Sequence, residues 1–442
     1  MTMRLSSKKI CTFICSFFAV TLLSFASPVL ADDAADKKSA IAPIDARGIV
    51  PAESFKKSGD TEWLSSVVTP AFPYNELIYS WKIQIPDGEG FRLYLQFTFD
   101  DGSRTDWQYG GFWGKVKPFE GKRKAPEFAE GKIDYDQVLL NKKATTFQLK
   151  VVSEGDKLLS ATPSFHVITT DNEPTKELSE KFATVRTMQA YAPKVMNLPL
   201  RKQQNSNGID NPDRCQSAAL ATAMQFFGKP VNLEDIVAWT NDPEYDYPGI
   251  WPRTVGTAVQ NGFDAYIDRF RTWDDVKATV DQNKIILISQ TMPRKPKGYY
   301  KDPPYSHLSG HIVALNGWTE DGRIIVTDSA LPRNDEGYMT QWLPQDLEKI
   351  WMETKGGVGM VIVPPTGAKI DLFTGTIPEF PKGRWIRRDR EEIARYPAVE
   401  GLKAITAGKS PEEAQAIKSE FWKAFYKEYE AEYDKAKERG DL

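Results

Sequence analysis

Between Gly90 and Asp100 the chain alternates without a lapse. Phe91, Leu93, Leu95, Phe97 and Phe99 fall on one side, Arg92, Tyr94, Gln96 and Thr98 on the other. Successive side chains of a strand point to opposite faces, so a strict period of two excludes a helix and describes a strand with one buried face. Pro86-Asp87-Gly88 before it and Asp100-Asp101-Gly102 after it are turn formers, which places the strand in a meander of hairpins. Glu76 to Ile85 and Arg104 to Trp113 read as its neighbours, and Thr146 to Val152 and Ser164 to Thr169 as further strands. This spacing predicts an all-β sandwich or jelly roll over residues 61–170.

Trp63, Trp81, Trp107 and Trp113 crowd the same region. Rings of that size fill the core of a small sandwich, or they form a stacking face for a cell-envelope polymer; filling the core is the commoner use. His166 falls in a strand with no second metal ligand at a useful spacing, so it reads as structural.

The 442 residues suffice for two or three domains. A net charge of −3 argues against nucleic acid and anionic membrane surfaces as partners. At the N-terminus, Arg4, Lys8 and Lys9 precede an apolar run from Ile10 to Phe25 and a small-residue processing site, Val29-Leu30-Ala31. That is the pattern of a signal peptide, residues 1–31, cleaved near Ala31-Asp32, and it predicts export to the periplasm or beyond. No integral membrane segment is expected after cleavage. Residues 32–60 are rich in Ala, Asp, Lys and Pro and read as a flexible lead-in.

Two of the three cysteines, Cys11 and Cys15, leave with the signal segment. The third, Cys215, follows a proline-containing turn, Asn211-Pro212-Asp213-Arg214, and opens an Ala-rich helix that Gly228 and Pro230 stop after Phe227. A single thiol in an oxidising compartment cannot form an intramolecular disulfide; it is buried and inert, paired between chains, or reactive. The start of a helix favours the thiolate, because unpaired backbone N–H groups and the helix dipole meet there. Gly310-His311 and then Asp328 follow, in the order nucleophile, base, orienting carboxylate. With Thr319 to Gly322 as a hairpin loop, Trp318 pairs with Arg323 and Asp328 lies opposite Val313, diagonal to His311 on one face. Diagonal neighbours lie about 7–8 Å apart, within reach of a carboxylate for an imidazole, and a one-residue slip would send Asp328 to the other face. His307 is the competing base, and Ser306 and Ser309 are competing nucleophiles that lack a helix start.

Around these residues, 171–196 read as a linker with a short helix at Glu177 to Tyr191, and the second domain as 197–365. Helices are expected from an Asn232 cap through Thr240, at Arg253 to Gln260, at Trp273 to Gln282 and at Leu343 to Glu353. Strands are expected at Lys284 to Gln290, His311 to Trp318, Arg323 to Thr327 and Val358 to Val363, with a long Pro, Lys and Tyr-rich loop over 291–309. Helices first and an antiparallel sheet after give an α+β fold. Residues 366–442 form a connector and a C-terminal amphipathic helix, capped by Ser410 and Glu413 and striped by Ile417, Phe421, Phe425 and Tyr429.

Pro199-Leu200-Arg201-Lys202-Gln203, Cys215-Gln216-Ser217-Ala218, Phe226-Phe227-Gly228, Gly310-His311 and Asp328 together resemble the papain-fold cysteine peptidases of the peptidase C39-like family. Exported bacterial members of that family with a β-sandwich ahead of the peptidase-like domain are the most similar. The resemblance implies a papain-like domain and says little of the substrate; a peptide or protein is the expected partner, and no cofactor or metal is expected, since no paired-cysteine spacing remains once residues 1–31 are removed. It also implies an oxyanion hole built from Gln203, or its neighbour Gln204, and the backbone N–H of Cys215. Where the family usually has Gly after the nucleophile, this chain has Gln216. The alternative to a hydrolase is a catalytically silent scaffold of the same fold that binds cell-surface peptide or polysaccharide.

Overall fold

A computed structural model describes residues 44–114, 125–173, 188, 190–203, 214–245, 249–296, 298–305, 308–330, 338–377 and parts of 401–427. Its first unit is antiparallel β, with a 3-10 turn at Ala52–Ser54. The strands are β1 (Asp45–Val50), β2 (Phe55–Lys57), β3 (Glu62–Ser65), β4 (Tyr74–Trp81), β5 (Gly90–Phe99), β6 (Gln108–Gly114), β7 (Glu127–Phe128), β8 (Gly131–Asp134), β9 (Gln137–Ser153) and β10 (Phe165–Thr170). Strand β9 runs for 17 residues and holds the unit together: its first part pairs with β4 and β8, its second with β5 and β3.

The alternating strand lies where its period put it, with Phe91, Leu93, Leu95, Phe97 and Phe99 all buried. Its partners are β6 and β9; β4, the expected neighbour on the other side, pairs instead with β9 and β10. Trp81 and Trp113 are core residues. Trp63 and Trp107 are half-buried, each with a lysine over its ring: Lys57 at 5.9 Å and Lys150 at 4.9 Å.

The expected flexible lead-in needs correcting at its second half. Residues 45–50 form the outer strand β1 on β10, and 55–57 pair with β3. Their composition misleads because Asp45 and Arg47 are polar for an interface, not for solvent. Asp45 takes both Nε and Nη2 of Arg271, and Arg47 reaches Asp268 and the carbonyl of Arg269 at 3.0 Å. The expected linker also ends in structure, since β11 (Lys194–Val195) pairs into the second sheet. Most of the helix expected at Glu177 to Tyr191 lies outside the described residues.

The second unit is α+β. Its helices are α1 (Cys215–Phe226), α2 (Leu233–Thr240), α3 (Trp251–Gln260), α4 (Trp273–Val280) and a single turn, α5 (Pro344–Leu347), that runs on in a wider winding to Glu353. The sheet adds β12 (Ala265–Arg269), β13 (Ile285–Met292), β14 (Leu308–Trp318), β15 (Ile324–Thr327), β16 (Thr340–Trp342) and β17 (Val358–Ile362), in the order β12-β17-β13-β14-β15-β16, all antiparallel. Asn232 caps α2 and Thr272 with Asp275 forms a capping box at α4, as their positions in the sequence require. Ser410 and Glu413 make the same reciprocal pair, at 3.1 and 3.2 Å, ahead of a C-terminal helix; Phe425 and Tyr429 of its stripe are outside the described side chains.

The two units share a seam. On β4, Leu77, Tyr79 and Trp81 point into the β core, while Ile78, with Ile168 of β10, belongs to the core of the second unit. Trp113 packs at a tilt against Trp239 of α2, with ring centroids 5.0 Å apart. Gly256 of α3 lies under Trp81 and Trp113, and a Cβ there would overlap the Trp81 indole nitrogen and come to 3.0 Å from Trp113.

Candidate active site

Helix α1 carries the site at its first residue. Residues 216–224 of α1 are all buried, so the helix is packed on every side, against β14, α2 and α3. Alanines at 218, 219, 221 and 223 let those neighbours approach closely. Its C-terminus closes in a Schellman motif: Lys229 N–H donates to Met224 O at 2.9 Å and Gly228 N–H to Gln225 O at 3.0 Å, with Gly228 at φ +84°. Its N-terminus has no side-chain cap among the described residues. Cys215 is a free thiol of intermediate exposure, within reach of solvent.

His311 comes from β14 and Asp328 from the residue after β15. Ala314 pairs with Thr327, so the register continues to Val313 opposite Asp328, as expected. The turn differs. Trp318 pairs with Ile324, not Arg323, and the extra residue is absorbed by a bulge at Asn316. That bulge restores the register which puts Asp328 on the face of His311. Asn316 is itself fixed, donating to Met196 O at 2.9 Å and accepting from Thr327 Oγ1 at 3.0 Å.

His311 Nε2 lies 2.8 Å from Asp328 Oδ1, and the Cys215 thiol is among the groups that act on the same ring. Burial works against a charged imidazole. The Asp328 carboxylate outweighs burial by charge and by hydrogen bond, Cys215 adds to it, and the His311 pKa is raised to about 10. Burial would also raise Asp328, but His311, the Tyr305 hydroxyl and the Ala330 N–H hold it down at about 2. The Ala330 N–H reaches Oδ1 at 2.9 Å and the Tyr305 hydroxyl donates to Oδ2. The Tyr305 ring stands edge-on to His311, centroids 6.1 Å apart.

Gln203 is buried and tied to the residue after Asp328. Its N–H donates to Ser329 O at 3.3 Å, and its Oε1 accepts from Ser329 Oγ at 3.0 Å. This fixes the amide, turning its oxygen to Ser329 and its NH2 away. Gln204, the other candidate donor, and His307 lie outside the described residues, as do the side chains of Ser306 and Ser309. Gln216 is fully buried and points away from the thiol, donating from Nε2 to Thr240 O and accepting at Oε1 from Thr254 Oγ1, both at 3.1 Å.

Sequence reasoning missed Tyr305 and Ser329. Tyr305 sits in the long loop between β13 and β14, where no periodicity marks it. The loop is pinned by Asp346, whose carboxylate accepts from the N–H groups of Lys301 and Asp302 at 2.8–3.1 Å. Ser329 carried one signal, its place directly after Asp328.

Several solved structures resemble this chain. A double glycine motif protease from an AMS/PCAT transporter, in complex with the leader peptide, is 14% identical over 40% of this chain and 100% of its own, with a TM-score of 0.27. A putative C39-like peptidase from Bacillus anthracis is 15% identical over 40% of this chain and 100% of its own, at 0.29. The peptidase domain of Streptococcus ComA, a bi-functional ABC transporter involved in a quorum sensing pathway, is 11% identical over 39% of this chain and 100% of its own, at 0.25. No curated protein matches the chain. The family models are specific: residues 195–358 match the Peptidase_C39 like family and residues 51–170 the Peptidase C39 N-terminal domain. Residues 195–358 thus form a unit of the Peptidase_C39 like family, with an α+β fold, behind a β unit that matches the Peptidase C39 N-terminal domain.

Proposed function

We propose that this protein is an exported cysteine-type hydrolase that cleaves a peptide or isopeptide bond through Cys215, His311 and Asp328. One observation carries the reading. A buried imidazole lies 2.8 Å from a buried carboxylate, and the thiol of a cysteine at the first residue of a helix acts on the same ring. Cys215 Sγ attacks the scissile carbonyl carbon, and the resulting oxyanion is held by the Cys215 N–H and the Gln203 amide. His311 protonates the leaving amine as the C–N bond breaks, then takes a proton from the water that hydrolyses the thioester. Asp328 fixes the imidazole tautomer and stabilises its charged form. Export rests on the positive, apolar and small-residue segments of residues 1–31; among the described residues no helix is long and apolar enough to cross a membrane.

The test is hydrolysis of a fluorogenic peptide library by the mature chain and by Cys215→Ala. Turnover is expected to fall by roughly a thousandfold or more, with thermal stability almost unchanged. Equal turnover in the two proteins refutes the reading.

A further inference from the structure

Gln216 stands beside the nucleophile, and its side chain leads to the other domain. From Gln216 the bonds run to Thr240 O in α2 and Thr254 Oγ1 in α3, each at 3.1 Å. Ser217 Oγ meets Thr240 Oγ1 at 2.6 Å. Next to both partners lies Arg253, fully buried. Its Nε donates to Trp239 O at 3.1 Å and its Nη1 to Phe112 O of β6 at 2.8 Å. Asp242 lies 3.7 Å from the same guanidinium. The Trp113 ring, 5.1 Å from the guanidinium carbon, covers it from the β side. Every polar group on this path is buried, so each bond is geometrically demanding and costly to leave unmade.

We infer that the β domain is a working part of the active site: through Arg253 and Gln216 it fixes the first turn of α1, and so the placement of the Cys215 sulfur. Arg253 and Gln216 are positioning residues in this account; neither touches substrate. The path also explains why a side chain long enough to reach two other helices follows the nucleophile where the family usually has Gly. The inference rests on the proposed cysteine chemistry and adds regulation of that site by domain docking.

The test reads the thiol itself, with iodoacetamide, across pH, beside the unfolding temperature and the kcat and KM of peptide hydrolysis. The variants are Gln216→Met, which keeps the length and loses both bonds, Arg253→Lys, which can satisfy one carbonyl but not two, and Gly256→Ala, which pushes on Trp81 without touching the site. Displacement of the sulfur by a fraction of an ångström slows a positioned reaction by roughly ten- to a hundredfold. We expect that loss in alkylation rate and kcat for Gln216→Met and Gly256→Ala, a smaller one for Arg253→Lys, a shifted alkylation pH profile, and little change in KM. Should Gln216→Met not fold, Thr254→Val removes one of the two bonds and takes its place. If the native thiol is activated and the folded variants alkylate and turn over as it does, the coupling is overturned and the hydrolase reading stands. If the native thiol reacts as an ordinary cysteine, the hydrolase reading fails and the coupling with it.

Discussion

Asp328 has both oxygens engaged: Oδ1 accepts from His311 and from the Ala330 N–H, and Oδ2 from Tyr305. A carboxylate so held cannot turn, and it presents one fixed acceptor to the imidazole. Tyr305→Phe keeps the ring against His311 and deletes a single hydroxyl. Its expected cost is about 1–3 kcal/mol, because a bond to a buried charge is lost. In kinetics this should appear as a fall in kcat at constant KM, checked by steady-state hydrolysis. The pair also sets a pH signature. His311 is raised to about 10, so its stabilisation is complete below the ordinary imidazole value of about 6.5 and declines as pH rises through about 10. Asp328 is lowered to about 2, so its share is complete above the ordinary carboxylate value of about 4 and is lost as pH falls through about 2. Melting curves of the native chain and Asp328→Asn should therefore differ most between about pH 4 and 6.5 and converge toward both extremes. Of these contacts, the sequence order gave Cys215, His311 and Asp328; Tyr305 was hidden because it reaches Asp328 from a loop, where spacing carries no phase.

At the scale of elements, α1 depends on how it stops as much as on how it starts. Gly228 is left-handed at φ +84°, with nothing within 4 Å of where a Cβ would stand. Gly228→Ala therefore meets no clash and pays only for backbone conformation, about 1–2 kcal/mol, measurable by denaturant unfolding with the m-value unchanged. The helix ends and caps were legible because Asn232, Thr272, Ser410 and Gly228 act through their own local chemistry. The β14–β15 hairpin was legible in its far register and wrong at its turn. Sequence gives no sign of the Asn316 bulge, which is stabilised by Met196 and Thr327, contacts made only when the chain has folded. Strands β12 and β16 escaped because they are short: five and three residues give too few positions for a period to be read.

For the molecule as a whole, the sequence divides the chain into a β unit and an α+β unit but conceals that each core takes in residues of the other. Strand β4 is the reason: seven of its eight residues are buried, one face in each unit, so its period of two is erased. Asp136 marks the same seam. It comes from the β unit and accepts from the N–H of Trp251 at the start of α3, at 3.3 Å, and burial raises its pKa to about 7. A carboxyl raised on folding destabilises as it ionises, so the native chain should lose stability as pH rises from about 4 to 7. Asp136→Asn keeps an acceptor for Trp251 and removes the charge. It should be more stable than the native chain by roughly 1–4 kcal/mol at pH 8 and nearly equal to it at pH 4, measured by chemical denaturation. The row of indoles across the seam, Trp81 to Trp113 at 5.5 Å and Trp113 to Trp239 at 5.0 Å, has an optical consequence. Rings that close couple their excited states, and the Trp113–Trp239 share of the resulting near-ultraviolet dichroism exists only while the halves are mated. The protein thus carries its own unlabelled reporter of domain separation, able to show whether the halves part before either one melts.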